Sequence, residues 1–189
     1  MQAKTLDAAE LKRVLGTIAL RRYATRDRSM MLMTFYAGMR IGEVVALKQG
    51  DVLEESGAIR KEIRLRAEQT KGDMGRRVFI SERLRKELAS YAGTLQKHSP
   101  DLPFFPTQKC PKRGFTPNTA AQMFLQIYQA AGIDGASSHS GRRTFLTQLA
   151  QRGIGVRVLM SLAGHKSISV TQRYLDVNDD MQRNAVELL

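Results

Sequence analysis

The 189-residue sequence has no tryptophan, one cysteine and three histidines. Cys110 has no second cysteine to pair with, so nothing points to an internal disulfide, a secreted disulfide scaffold or a cysteine zinc module. Long apolar runs are missing too. The longest, Met30 to Met39, contains Thr34 and Gly38 and falls well short of the about 20 residues that cross a bilayer. Met1 to Thr5 lead straight into a polar helical pattern, without the apolar stretch and small-residue cleavage site of a signal peptide. A reducing cytoplasm, away from any membrane, is the expected setting. Acidic residues are also scarce: 18 Asp and Glu stand against 30 Lys and Arg, a formal charge of +12. Such an excess points to a phosphate polyanion, with nucleic acid the leading partner. The cations are scattered along the whole chain rather than gathered on one helix with bulky apolar anchors, which argues against a lipid surface.

Most of the chain reads as helix, and its length suits one compact domain with its own core. Asp7 and Glu10 form a capping-box pattern ahead of Leu11, Val14, Leu15 and Ile18, so a first helix starts near residue 7. A basic cluster, Arg21 to Tyr23 and Arg26 to Arg28, follows. Residues 29–37 are apolar nearly all round and mark a helix buried on most faces, which Gly38 breaks. A short helix then sets Arg40 and Glu43 on one face, three residues apart. Alternation over 59–67 predicts a strand with Ile59, Ile63, Leu65 and Ala67 inward, returning at 77–81 through a hairpin whose tip holds Lys71.

Ser81 is placed to cap a helix through Leu84, Leu88, Ala92 and Leu95. All five prolines lie within 99–117, an ordered but irregular connection whose Lys109, Lys112 and Arg113 can reach a phosphate backbone. Further helices are predicted over 118–131, 140–151 and 156–163. A last one starts at Ser167 or Ser169 and carries Tyr174. Tyr36, Tyr91 and Tyr128 fall in apolar helical patterns and read as core, whereas Tyr23 follows two arginines.

Two histidines have unusual neighbours: His139 in Ser138-His139-Ser140-Gly141-Arg142-Arg143, and His165 in Leu162-Ala163-Gly164-His165-Lys166. Both adjoin predicted helix starts, and His139 with Arg142, three apart, makes a phosphate-facing pair. No His-Glu or Cys-His spacing suits a metal.

In chain order, Gly38-Met39-Arg40-Ile41-Gly42-Glu43, Thr70-Lys71-Gly72, His139-x-x-Arg142, Leu162-Ala163-Gly164-His165 and Thr171-x-x-Tyr174 together resemble the catalytic domain of the tyrosine recombinase (phage integrase) family. The resemblance runs from the first helix to the last and fills the family's Arg, Lys, His, Arg, His, Tyr set with Arg40, Lys71, His139, Arg142, His165 and Tyr174. It departs from the family's His-x-Leu-Arg-His pattern at Gly141 and Arg143.

The resemblance implies an α+β, mainly helical, integrase-like domain with a small antiparallel sheet, spanning residues 1–189 without an N-terminal core-binding domain. That fits either a natural single-domain member, like the small fimbrial phase-switch recombinases, or a fragment. It implies a site-specific recombinase of bacterial or phage origin, nucleoid-associated, acting on double-stranded DNA as a homotetramer with possible accessory DNA-bending proteins. No cofactor, ATP or divalent metal is expected. Tyr174 would attack the scissile phosphate, Arg40 and Arg142 would clamp it, and His165 would donate to another oxygen. His139 is the nearest candidate acceptor of the tyrosine proton, Glu43 supports the site, and Lys71 would protonate the leaving 5′-oxygen. Residues 175–189 would dock on a neighbour or on their own subunit. The rival readings are a catalytically silent DNA-binding regulator of the same fold, and a topoisomerase or telomere resolvase using the same chemistry.

Overall fold

The computed structural model describes residues 3–70 and 75–174. Helix α1 (Ala8–Ala19) starts where Asp7 accepts the Glu10 N–H at 2.7 Å and Glu10 accepts the Asp7 N–H at 3.1 Å. This reciprocal capping box satisfies two backbone donors that the first turn leaves open. Leu11, Val14 and Ile18 point inward.

Helix α2 (Ala24–Tyr36) is the hub: α1, α5 and α7 all pack on it. Its buried face runs from Ser29 to Phe35, as the all-round apolar pattern predicts. It begins earlier than that pattern implies, because Arg26 to Arg28 belong to its first turns and not to an outlying basic cluster. Arg26 and Asp27 are buried, and Asp27 accepts from Arg26 at 2.8 Å and from Arg21 at 2.9 Å. The Arg26 guanidinium lies over both Tyr23 and Phe115, 4.5 and 4.7 Å from their ring centres. Pairing and aromatic cover together make a buried cation tolerable.

Two short helices follow, α3 (Ile41–Val45) and α4 (Gln49–Val52), then an antiparallel pair, β1 (Glu62–Leu65) and β2 (Arg76–Phe79). The sheet is shorter than the alternation over 59–67 suggests. Ile59 makes only an isolated bridge to Leu53, and Ala67 is exposed in a 3-10 turn, Ala67–Gln69. The strands meet in register, Ile63 opposite Val78, and both of those side chains enter the core.

Helix α5 (Glu82–Ala92) is capped by Ser81, which accepts the Leu84 N–H; it ends at Gly93, so Leu95 lies beyond it. The proline-rich connection folds Phe104 and Phe105 completely inside, with Tyr91 stacked on Phe105 and donating to the Phe104 carbonyl. Pro117 opens α6 (Pro117–Ala130) at a position where its missing N–H costs nothing. Helices α7 (Ser140–Gln151), α8 (Val156–Ala163) and α9 (Ile168–Gln172) complete the described chain. Among the described residues no helix is long and apolar enough to cross a membrane.

The departure at Gly141 has a packing cause. A Cβ there would meet Thr34 Oγ1 at 2.2 Å and the Thr34 backbone carbon at 3.2 Å, so glycine lets α7 lie directly on α2. Restoring leucine, Gly141→Leu, should therefore destabilise the domain by about 3 kcal/mol through overpacking. A wild-type midpoint in urea denaturation of that variant would refute this account of the contact.

Candidate active site

Three separate helix ends converge on one cleft. Arg40 precedes α3, Arg142 sits in the first turn of α7, and His165 follows α8. With His139, Arg143 and Tyr174 they line a hollow of about 300 Å³. Sequence spacing places both histidines at helix starts. The structure agrees for both: His139 is the residue before α7, and His165 lies in the short turn between the end of α8 and Ser167, the cap of α9. Gly164 makes that turn in the left-handed conformation, φ 60°, and His165 N–H closes back onto the Met160 carbonyl at 3.1 Å. A side chain at 164 would also strike Arg76, whose Cδ lies 2.5 Å from the Cβ position.

Arg142 is 4% exposed and held by two backbone carbonyls, Gly38 through Nη1 and Ala163 through Nη2, each at 2.6 Å. These anchors fix the planar fork before any ligand arrives. Burial, and then the nearby charge of Arg40, push the guanidinium down to about 9, which leaves it a cation at neutral pH. Arg142 Nη2 also lies 3.0 Å from His165 Nε2, and His165 Nδ1 lies 2.9 Å from the hydroxyl of buried Thr171.

Arg40 is oriented by Glu43, which is 2% exposed and accepts both the Arg40 backbone N–H and Nη1 at 2.8 Å. The same carboxylate receives Arg76 Nη2 at 2.7 Å and Nε at 3.3 Å. Burial alone would push the Glu43 carboxyl up, but the hydrogen bonds and charges of Arg76 and Arg40 outweigh it and hold it below the ordinary range.

Arg76 is a site residue that motif reading passes over. Its Nη1 donates to the Leu162 carbonyl at 2.7 Å, so it ties β2 to Glu43 and to the end of α8. A signal for it was present: Val78 and Ile80 face inward, strand alternation puts Arg76 on the same side, and an inward cation needs a buried carboxylate.

Tyr174 lies two residues beyond α9, not within it as the sequence pattern suggests. It is half-buried, its N–H donates to the Thr171 carbonyl at 3.0 Å, and its ring stacks on His165 with centroids 6.0 Å apart. His139 is exposed at the rim of the cleft. Lys71 and the tail 175–189 lie outside the described residues. Among the described residues no group of three or more His, Cys, Asp or Glu side chains is placed to hold a metal ion.

His165 carries a pH dependence whose sign follows from its surroundings. Burial first, then Arg142, Arg40 and Arg76, push its pKa from 6.5 down to about 4. Between those two values the unfolded chain binds a proton that the folded site refuses. Stability should fall as pH drops through that window, and this contribution should be constant above it. In His165→Gln, thermal unfolding followed by circular dichroism should show a shallower fall over the same window. An unchanged slope would remove the assignment.

Known proteins bear the same arrangement of elements. The tyrosine recombinase XerA of Pyrococcus furiosus is 30% identical over 184 residues, 97% of this chain and 61% of its own length. A crystal structure of XerA recombinase superposes with a TM-score of 0.77 at 26% identity, over all of this chain and 65% of that one. The catalytic domain of bacteriophage HP1 integrase shares the fold, with a TM-score of 0.69 at 21% identity over 98% of this chain and 95% of that one. The chain thus spans about three-fifths of the length of the curated relatives it matches. Residues 4–181 match the phage integrase family model, and this chain belongs to the phage integrase family.

Proposed function

We propose that this domain cuts and rejoins double-stranded DNA by tyrosine attack on a backbone phosphate, as a site-specific recombinase. The observation that carries the reading is the convergence of Arg40, Arg142, His165 and Tyr174 on one cleft from four separate segments of the chain. Kinship with tyrosine recombinases and the +12 charge support it.

The Tyr174 phenol oxygen attacks phosphorus as the P–O5′ bond breaks, leaving a 3′-phosphotyrosyl bond and a free 5′-hydroxyl. The bond energy is thereby kept for rejoining. Charge builds on the non-bridging oxygens during attack, and fixed cations are suited to stabilise it. Arg142 is already anchored by two carbonyls and Arg40 is aimed by Glu43, so neither has to reorganise during the reaction. His139, at the rim, accepts the tyrosine proton, and Lys71 returns one to the leaving 5′-oxygen. Strand exchange between two duplexes uses a homotetramer, with the tail 175–189 as a candidate linker and DNA-bending proteins as possible helpers.

The test is covalent trapping with chelator present. Nicked duplexes bearing candidate sites are incubated with the protein, denatured and digested, and the DNA-linked peptide is sequenced by mass spectrometry. A 3′-linked adduct on Tyr174 is the expected result. Salt-sensitive binding without an adduct on any site would favour the silent DNA-binding regulator, and an adduct requiring magnesium would overturn the metal-free scheme.

A further inference from the structure

The two hydrogen bonds to the His165 ring decide which nitrogen bears its proton. A guanidinium has only donors, so the contact from Arg142 Nη2 at 3.0 Å requires a lone pair on Nε2. The single proton of the neutral ring is then on Nδ1, and the Thr171 hydroxyl oxygen, 2.9 Å away, accepts it. Thr171 is completely buried in α9, and its hydroxyl does not line the cleft. Its backbone carbonyl meanwhile holds the Tyr174 N–H. One buried residue therefore grips both members of the stacked His165–Tyr174 pair.

We propose that Thr171 is a positioning residue that fixes the tautomer and ring plane of His165, keeping Nε2 turned toward Arg142 and the incoming phosphate. The inference rests on the reading of the cleft as a phosphate site. Arg142 from α7, Arg40 ahead of α3 and Arg76 from β2 all disfavour an imidazolium, and the Glu43 carboxylate pairs with two of those three cations. A bound phosphate accepts from the donors of Arg142 and Arg40 that the fold leaves open, and its charge offsets part of the field of those cations. Nε2 then takes from solvent the proton it needs in order to donate, while Nδ1–H stays on Thr171 throughout. Without the hydroxyl, Nδ1–H has lost its acceptor and the ring loses the bond that holds it in the plane offering Nε2 to Arg142, so it turns off that contact and both tautomers become populated.

The experiment is nitrogen NMR of the full chain labelled at histidine, with His165 assigned by His165→Gln. Wild type should show a protonated Nδ1 and a bare Nε2 at neutral pH. Thr171→Ser should keep that pattern. Thr171→Val, nearly isosteric, should lose it and slow adduct formation by ~10-fold, the worth of one such hydrogen bond, with DNA affinity unchanged. Cleavage restored by serine but not by valine separates positioning from packing. A wild-type ring protonated on Nε2, or a valine variant with the wild-type pattern, overturns the proposal. The spectra need no DNA, so a failure of the recombinase reading would show as an absent adduct beside an intact tautomer pattern. If Thr171→Val fails to fold, wild type and Thr171→Ser still decide the tautomer.

Discussion

Phenylalanine in place of Tyr174 should abolish the covalent protein–DNA adduct, a fall in cleavage of at least ~10⁴-fold, while leaving fold and DNA binding in place. The two consequences separate because the ring and the hydroxyl do different work. The ring is half-buried and stacks on His165, and its backbone N–H is held by Thr171, none of which the substitution touches. Only the attacking oxygen is removed. The measurements are adduct yield on denaturing gels, salt-dependent DNA affinity and the thermal midpoint, for both proteins. An adduct that persists in Tyr174→Phe would move the nucleophile elsewhere and dismantle the proposed chemistry. A lost thermal midpoint would show instead that the hydroxyl supports the fold.

The second large effect is expected at Glu43, and it is on stability as much as on activity. Its carboxylate is 2% exposed and is shared by Arg40 and by Arg76, whose side chain is only 7% exposed. Glu43→Ala leaves a buried cation without its partner, which costs about 3–5 kcal/mol. It also frees Arg40, so adduct formation should fall with it. Urea denaturation measures the first effect and single-turnover cleavage the second. Adding Arg76→Met should return part of the lost stability, because the uncompensated charge is gone, but not the lost cleavage. A stability loss within about 0.5 kcal/mol, the range of an ordinary surface substitution, would refute the buried-pair account. The pH sign agrees with this picture. Because the folded Glu43 carboxyl is held below its ordinary value of 4.5, its stabilisation is complete above that pH and is lost as pH falls through the folded value.

Much of the helical frame was legible in the sequence because its determinants are local. Asp7 with Glu10, Ser81 and Gly164 start or stop helices within one turn of themselves, and the structure uses each as the sequence pattern suggests, whereas Pro117, read as the end of the irregular connection, instead opens α6. Alternation overextends the strand because it continues past the point where pairing stops. Ile59 faces inward without a ladder partner in β2, and Ala67 turns outward in the 3-10 segment. The apolar pattern begins helix α2 too late for the opposite reason: Arg26 and Asp27 look like surface residues, but Tyr23 and Phe115 cover Arg26, and Asp27 is buried against its two arginine partners. The pattern sets Tyr174 inside a helix that ends before it, because a five-residue helix carries too little periodicity to place its end.

Residue order and motif spacing are enough to read the mainly helical α+β class, the order of the motifs and Arg40, Glu43, His139, Arg142, His165 and Tyr174 as residues to watch. How their side chains are held depends on packing between distant segments. Arg142 takes the Gly38 carbonyl, 104 residues away, and Arg76 takes the Leu162 carbonyl, 86 residues away. The difference is physical. Caps and periodicity act over a single turn and are written in neighbouring residues, whereas a buried cation takes its partners from whatever acceptors packing brings within hydrogen-bond reach, and that choice exists only once the segments have met.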